Sequence, residues 1–327
     1  MMSNAAVEDV AMQTRRLGST DLAIVPVVFG GNVFGWTVDE ARSFELLDAW
    51  VDRGFNCIDT ADVYSVWVPG HEGGESETII GKWLKQSGKR EKVVLLTKVG
   101  FDMKSGGKGL SKKWILEEVE SSLQRLQTDY IDLYQSHTDD QTVPLEETLE
   151  AYAQLIDEGK VRYIGASNYK GARLAEAEEL AEREKLPAYK TLQPEYNLHD
   201  RQGYETDLAP VAEKFGLGVI PYFSLASGFL TGKYQSVEDA KGKNREARVQ
   251  KYFDERGMKI LKALKTVSEE TGEEQAAVSL AWLLEQPTIT APIASATSTE
   301  QMKALFAAVE LKLSASQMAL LTDASAY

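Results

Sequence analysis

The chain has 327 residues, enough for one large barrel or two ordinary domains, and 43% of them are hydrophobic, so a substantial core can form. Asp and Glu number 50 against 36 Lys and Arg, a formal charge of −14, which argues against a nucleic-acid or membrane-surface binder because both partners are anionic. The single cysteine, Cys57, excludes an intramolecular disulfide, and no window approaches the roughly 18 apolar residues of a membrane span, so the expected location is a reducing cytoplasm.

Residues 1–13 carry no long apolar segment and read as a loose leader, with residues 14–327 as a single domain. Thr14–Leu17 and Leu22–Ile24 flank Gly18-Ser19-Thr20-Asp21, which predicts a small hairpin placed to plug the bottom of a barrel. Strand-like apolar runs follow at Ile24–Phe29, Asn56–Ile58, Val93–Thr97, Ile131–Gln135, Val161–Ala166, Thr191–Gln193, Gly218–Phe223 and Thr288–Ile293. Between them lie helical patterns. Thr37 and Glu40 have capping-box spacing ahead of Phe44, Leu47 and Val51, with Gly54 as a stop. Leu145, Leu149, Tyr152 and Ile156 repeat the period and end at Gly159. Ser167-Asn168 is placed to cap a helix over 169–184, and another helix is expected over 204–215.

Strand–helix alternation at about 30-residue spacing points to an α/β fold, a (β/α)8 TIM barrel with an N-terminal β-hairpin and long loops at the C-terminal face. A doubly wound open sheet is the alternative, but Phe29-Gly30-Gly31-Asn32 is too short for its glycine-rich GxGxxG turn. The stretch Thr231–Gly257 exceeds an ordinary connection and reads as a functional flap. Lys233, Lys241, Lys243, Arg245, Arg248 and Lys251 concentrate there in an otherwise acidic chain, which suits folding over an anion or a solvated charged loop.

In a barrel, polar residues that directly follow a strand face the active-site end. Asp59, Lys98 and His137 follow the second, third and fourth strand runs, and Tyr64 lies five positions beyond Asp59. A phenol with a reference pKa of about 10 is a feeble acid, and a neighbouring ammonium lowers that value. Asp59 would keep Lys98 charged, and His137 would steer a carbonyl oxygen towards Tyr64. The set suits protonating an oxygen as a hydride reaches the adjacent carbon, and the hydride requires a cofactor. Trp36, Trp67 and His71 sit in loops where they could line a substrate pocket. The chain has only His71, His137 and His199 and no HxH or HExxH pair, so a metal-dependent hydrolase fits poorly and no metal is expected.

The stretch Gly54–Tyr64, Thr97-Lys98, the run Asp129–His137, Gly159–Asn168, Gln193, Pro221-Tyr222 and Gly228–Lys233 fall in an order that resembles the aldo-keto reductase family over residues 14 to 310. The resemblance implies an NAD(P)H-dependent reductase of small-molecule aldehydes or ketones, reversible towards alcohol oxidation. An aromatic wall of Trp36, Trp67 and His71 would suit sugar-like or bulky substrates through stacking, or these residues simply pack the loops. Tyr64 would be the general acid, completed by Asp59, Lys98 and His137, with Trp36, Tyr64, Trp67 and His137 meeting the substrate. The cofactor would meet Gly31, Asn32, Asp59, Ser167, Asn168, Gln193, Tyr222, Ser224, Leu225, Gly228, Leu230, Gly232, Lys233, Arg245, Ser295, Thr297 and Gln301. Many members carry glycine where Ser295 stands, arginine or lysine where Ser298 stands, and asparagine where Leu305 stands. NADPH is the family's default cofactor, and the missing guanidinium at Ser298 keeps NADH open. The resemblance also allows a nicotinamide-binding regulatory subunit with little turnover, like the β subunits of potassium channels.

Overall fold

The computed structural model describes residues 12–104 and 106–327, so of the expected leader only Met12 and Gln13 fall inside it. The hairpin forms: β1 (Arg15–Arg16) pairs antiparallel with β2 (Ala23–Ile24). Thr20 stiffens its turn, its hydroxyl donating to the Leu17 carbonyl at 2.8 Å and accepting from the Leu22 amide at 3.1 Å. The first barrel strand does not start at Ile24, because Pro26 has no N–H to continue the pairing.

Eight parallel strands follow: β3 (Val28–Gly30), β4 (Cys57–Asp59), β5 (Val94–Val99), β6 (Ile131–Ser136), β7 (Val161–Ser167), β8 (Thr191–Gln193), β9 (Gly218–Val219) and β10 (Ile293–Ala294). Neighbours in the sheet are neighbours in sequence, with β10 beside β3. The two edges also meet, since the Thr290 amide donates to Val219 at 2.8 Å and the Ile293 amide to Pro221 at 2.9 Å. The last two strands are shorter than the apolar runs predicted, which contain Pro221 and Pro292 and so lack amide donors within them.

Single helices follow β3 to β8 in turn: α1 (Glu40–Asp52), α2 (Glu75–Ser87), α3 (Lys112–Leu126), α4 (Leu145–Asp157), α5 (Gly171–Glu184) and α6 (Ala209–Phe215). After β9 come α7 (Val237–Ala240), α8 (Glu246–Val249), α9 (Glu255–Thr271) and α10 (Gln275–Leu284), and after β10 come α11 (Thr299–Glu310) and α12 (Ala315–Ala324). The architecture is that of an α/β (β/α)8 fold. Segment 231–257 is not wholly irregular, since it carries α7, α8 and the start of α9.

Helix starts differ from expectation in two places. Asp39, not Thr37, caps α1 by accepting from the Arg42 amide at 2.9 Å. Neither Ser167 nor Asn168 caps α5, which begins after Lys170; Asn168 instead turns through a positive φ of 57° and spends its amide in the barrel mouth. The core has two shells. Strands and helices enclose one around Phe29, Trp50, Leu149 and Trp282, and the barrel encloses the other, where Val28, Cys57, Leu96 and Leu133 meet Leu17, Leu22 and Ile24 of the hairpin. The hairpin therefore stops the barrel from below and leaves the C-terminal strand ends as its mouth. Among the described residues, no single helix is long and apolar enough to cross a membrane.

Candidate active site

A cavity of about 1070 Å3 opens at that mouth. Asp59 and Tyr64 border it, and Lys98, fully buried on β5 behind them, uses all three ammonium donors. They reach Asp59 Oδ2 at 2.6 Å, the Thr60 carbonyl at 2.6 Å and the Tyr64 hydroxyl at 3.2 Å. Three features fasten the loop that carries Tyr64. Asp62 accepts from the Val63 amide at 2.6 Å; Thr60 and Ser76 hydroxyls link at 2.8 Å; Glu75, at the start of α2, accepts from the amides of Ser65, Glu72 and Gly73. Consecutive parallel strands thus bring residues separated by 39 positions into one ion pair.

The electrostatics correct one expectation. Burial raises the Tyr64 pKa, with Asp59 and Asp62 adding to the rise, and these outweigh the pull of Lys98 in the opposite direction. The phenol is therefore held as a protonated donor rather than a ready phenolate. Burial alone would lower the Lys98 pKa, but Asp59 and Tyr64 raise it overall, so the ammonium stays charged. His137 is driven well below the usual imidazole value by burial and by Lys98, and is neutral at physiological pH. Its ring lies 5.7 Å from that of Tyr64 and 4.3 Å from that of Phe101, centroid to centroid.

A chain of polar contacts crosses the mouth. Gln193 Nε2 donates to Asp59 Oδ1 at 3.0 Å and to Gln135 Oε1 at 3.1 Å, and Gln135 Nε2 reaches the same Asp59 oxygen at 3.2 Å. The Ser167 hydroxyl donates to the Gln193 carbonyl at 2.8 Å, and the Asn168 amide to the His137 carbonyl at 2.8 Å. The Tyr222 hydroxyl donates to Asn168 Oδ1 at 2.8 Å.

Of the residues singled out from sequence, Asn32, Trp36, Asp59, Tyr64, Trp67, His137, Ser167, Asn168, Gln193, Tyr222, Ser224, Leu225, Gly228, Lys233, Arg245, Ser295, Thr297 and Gln301 all border the cavity. Lys98, held behind Asp59 and Tyr64, does not, and nor do Gly31, Leu230 and Gly232. The Gly31 carbonyl is taken by the Ser76 hydroxyl at 2.8 Å, Leu230 is fully buried in the outer core, and Gly232 packs against Gln275. His71 is turned towards Ser65 and Glu75, 3.4 and 3.8 Å away. Within the flap, Lys233, Lys243, Arg245 and Arg248 border the cavity, whereas Lys251 pairs with Glu195 at 3.1 Å and Asp200 at 3.3 Å. Arg245 lies 5.8 Å from the Trp36 ring and Arg248 5.1 Å from the Phe223 ring.

At the far end of the cavity, Ser295 donates to Gly30 and approaches Asn32 Oδ1, each at 2.7 Å, while Ser298 caps α11 and Lys303 pairs with Glu300 at 2.7 Å. That end is finished by Ala304 and Leu305 without a cation from α11. Phe101 and Gln135 were not singled out from sequence. Phe101 carries no polar group to mark it, and Gln135 was hidden in an apolar run, although inward Leu133 two positions earlier puts it on the barrel-facing side of β6. Among the described residues, no group of three or more His, Cys, Asp or Glu side chains has a metal-holding arrangement.

Comparison with known proteins agrees with this geometry. The aldo/keto reductase family matches residues 26–326, and the chain belongs to it. Among its relatives, an uncharacterised oxidoreductase, YrpG, of Bacillus subtilis (strain 168) is 38% identical over 95% of each chain. Aldo-keto reductase YhdN of the same organism is 34% identical over 93% of this chain and 88% of its own. A probable voltage-gated potassium channel subunit beta of Oryza sativa subsp. japonica is 33% identical over 90% of this chain and 91% of its own. Family membership and these names support an oxidoreductase.

Proposed function

We propose that the protein is an NAD(P)H-dependent carbonyl reductase in which Tyr64 protonates the oxygen of an aldehyde or ketone. The observation that carries this reading is the hydrogen-bonded series Asp59–Lys98–Tyr64 at the floor of a cavity walled by His137 and the Trp36, Trp67 and Phe101 rings. The cavity also fits a dinucleotide in its chemistry. Gln193, Asn168 and Ser167 present amide and hydroxyl groups at one end, and Lys233, Arg245 and Arg248 present cations to a diphosphate midway. A bound reduced nicotinamide would supply hydride to the carbonyl carbon.

The residues of this chain do the rest. Tyr64 gives its hydroxyl proton to the carbonyl oxygen as negative charge develops there, and Lys98 beside it stabilises the phenolate that remains. Asp59 keeps Lys98 charged and aimed. His137, held neutral, donates one ring N–H to the same oxygen and orients it. The aromatic wall excludes water and favours flat or bulky carbonyl substrates. NADPH is the cofactor we favour, with NADH next, because α11 lacks a guanidinium for a 2′-phosphate while the flap supplies other cations.

Tyr64→Phe tests the reading. It should lower kcat for reduction at least 100-fold while leaving NADPH affinity, followed by quenching of protein fluorescence, within about twofold; retention of more than a tenth of wild-type kcat would show that another group is the acid. The kinship to a potassium channel β subunit supports a second reading, a nicotinamide-binding regulator. Tight NADPH binding with no turnover across a panel of activated aldehydes would favour it.

A further inference from the structure

We propose that Gln135 is a positioning residue that joins the proton-donating half of the site to its cofactor half. The inference rests on the reductase reading above. Gln135 is fully buried on β6, in register with Lys98 on β5 and with Gly165 on β7. A buried amide inside a barrel is costly unless its hydrogen bonds are made, and here both ends are used. Its Nε2 donates to Asp59 Oδ1, and its Oε1 accepts from Gln193 Nε2.

Two consequences follow from this geometry. Asp59 Oδ2 faces Lys98 at 2.6 Å because Oδ1 is held by the amides of Gln135 and Gln193, so the carboxylate cannot rotate away from the ammonium. Gln193 in turn spends both amide hydrogens, one on Asp59 and one on Gln135. That leaves its side-chain oxygen Oε1, distinct from the main-chain carbonyl that accepts from Ser167 and without a hydrogen-bond partner among the described residues, as the atom offered to the cavity. Gln193 is thereby made an acceptor, suited to the –NH2 of a carboxamide.

The fold makes room for this amide. A Cβ on Gly165 would sit 3.1 Å from Gln135 Cγ and 2.2 Å from Thr191 Oγ1, so any larger residue there would displace the linkage. Pure packing would be served equally well by leucine or methionine at position 135.

The test uses Gln135→Met and Gln135→Glu in the full-length protein, with fluorescence titration of NADPH and NADH from pH 5.5 to 8 alongside steady-state reduction. Gln135→Met should weaken cofactor binding about tenfold and lower kcat about tenfold, leaving KM for the carbonyl substrate within twofold. Gln135→Glu carries an O–H donor only when protonated, so its affinity relative to wild type should recover at pH 5.5 and fall at least tenfold by pH 8. If Gln135→Met fails to fold by circular dichroism, the pH-dependent recovery of Gln135→Glu decides. Wild-type protein that binds cofactor while Gln135→Met matches it in affinity and kcat, or Gln135→Glu shows no pH-dependent loss, overturns the proposal alone. Wild-type protein that binds neither dinucleotide overturns the reductase reading and this proposal with it.

Discussion

At the scale of single residues, acid strength at Tyr64 is a contest between burial and one ammonium. Burial prevails and lifts the pKa above its ordinary value of 10.0, while Lys98 pulls downward. If Tyr64 is the proposed acid, then in the oxidation direction the phenol must first lose its proton, and the rate should rise with pH through that raised value. Lys98→Met removes the only downward pull named here and should move the alkaline limb of alcohol oxidation upward by about one unit or more. A pH–rate profile checks it; a limb that stays put or moves down would contradict the direction. The four residues at this centre were legible in the sequence because three directly follow strand runs and the fourth lies in the next loop. The direction of the Tyr64 shift was not, since it depends on how much water the folded barrel removes. Gln135 was hidden for a related reason, being a lone amide whose partners lie 58 and 76 positions away.

At the scale of elements, periodicity located most helices, but their starts were set by local hydrogen bonds that a spacing rule cannot choose between. Asp39 displaced Thr37 as the cap of α1 because it sits next to the first turn and reaches the Arg42 amide. On the proposed reading, the N-terminus of α11 is the place to test cofactor choice. Ser298 accepts from the Gln301 amide at 3.3 Å, and its neighbour Thr297 borders the cavity. Ser298→Arg should place a guanidinium near a 2′-phosphate and tighten NADPH about tenfold, with NADH unchanged within twofold. Parallel titrations of the two cofactors check this, and equal gains for both would exclude a contact with that phosphate. The loss of the cap costs about 1 kcal/mol, so helix stability should be followed in the same samples.

At the scale of the whole molecule, the barrel was legible from alternation alone, whereas its strand lengths were not, because the prolines inside the apolar runs remove amide donors. The hairpin was legible from its turn residues. Its docking is tight: Gly18 has a φ of +60°, and a Cβ there would lie 2.1 Å from the Lys190 carbonyl and 2.8 Å from the Gly218 amide. Gly18→Ala should therefore cost about 2–3 kcal/mol, measured by urea denaturation, from positive-φ strain and the clash with two strand ends. An unchanged midpoint would mean that the hairpin is not seated against β8 and β9 as described.

Because Leu17, Leu22 and Ile24 stopper the barrel from beneath, the molecule keeps two electrostatic climates. The Lys98–Asp59 pair is buried, so salt screens it weakly, while Lys243, Arg245 and Arg248 stand at the brim, where dissolved salt screens charge within about 8–10 Å. Raising ionic strength from 50 to 500 mM should loosen the dinucleotide several-fold yet leave the pH profile of the bound enzyme in place. A profile that drifted with salt would reveal a leak through the stopper.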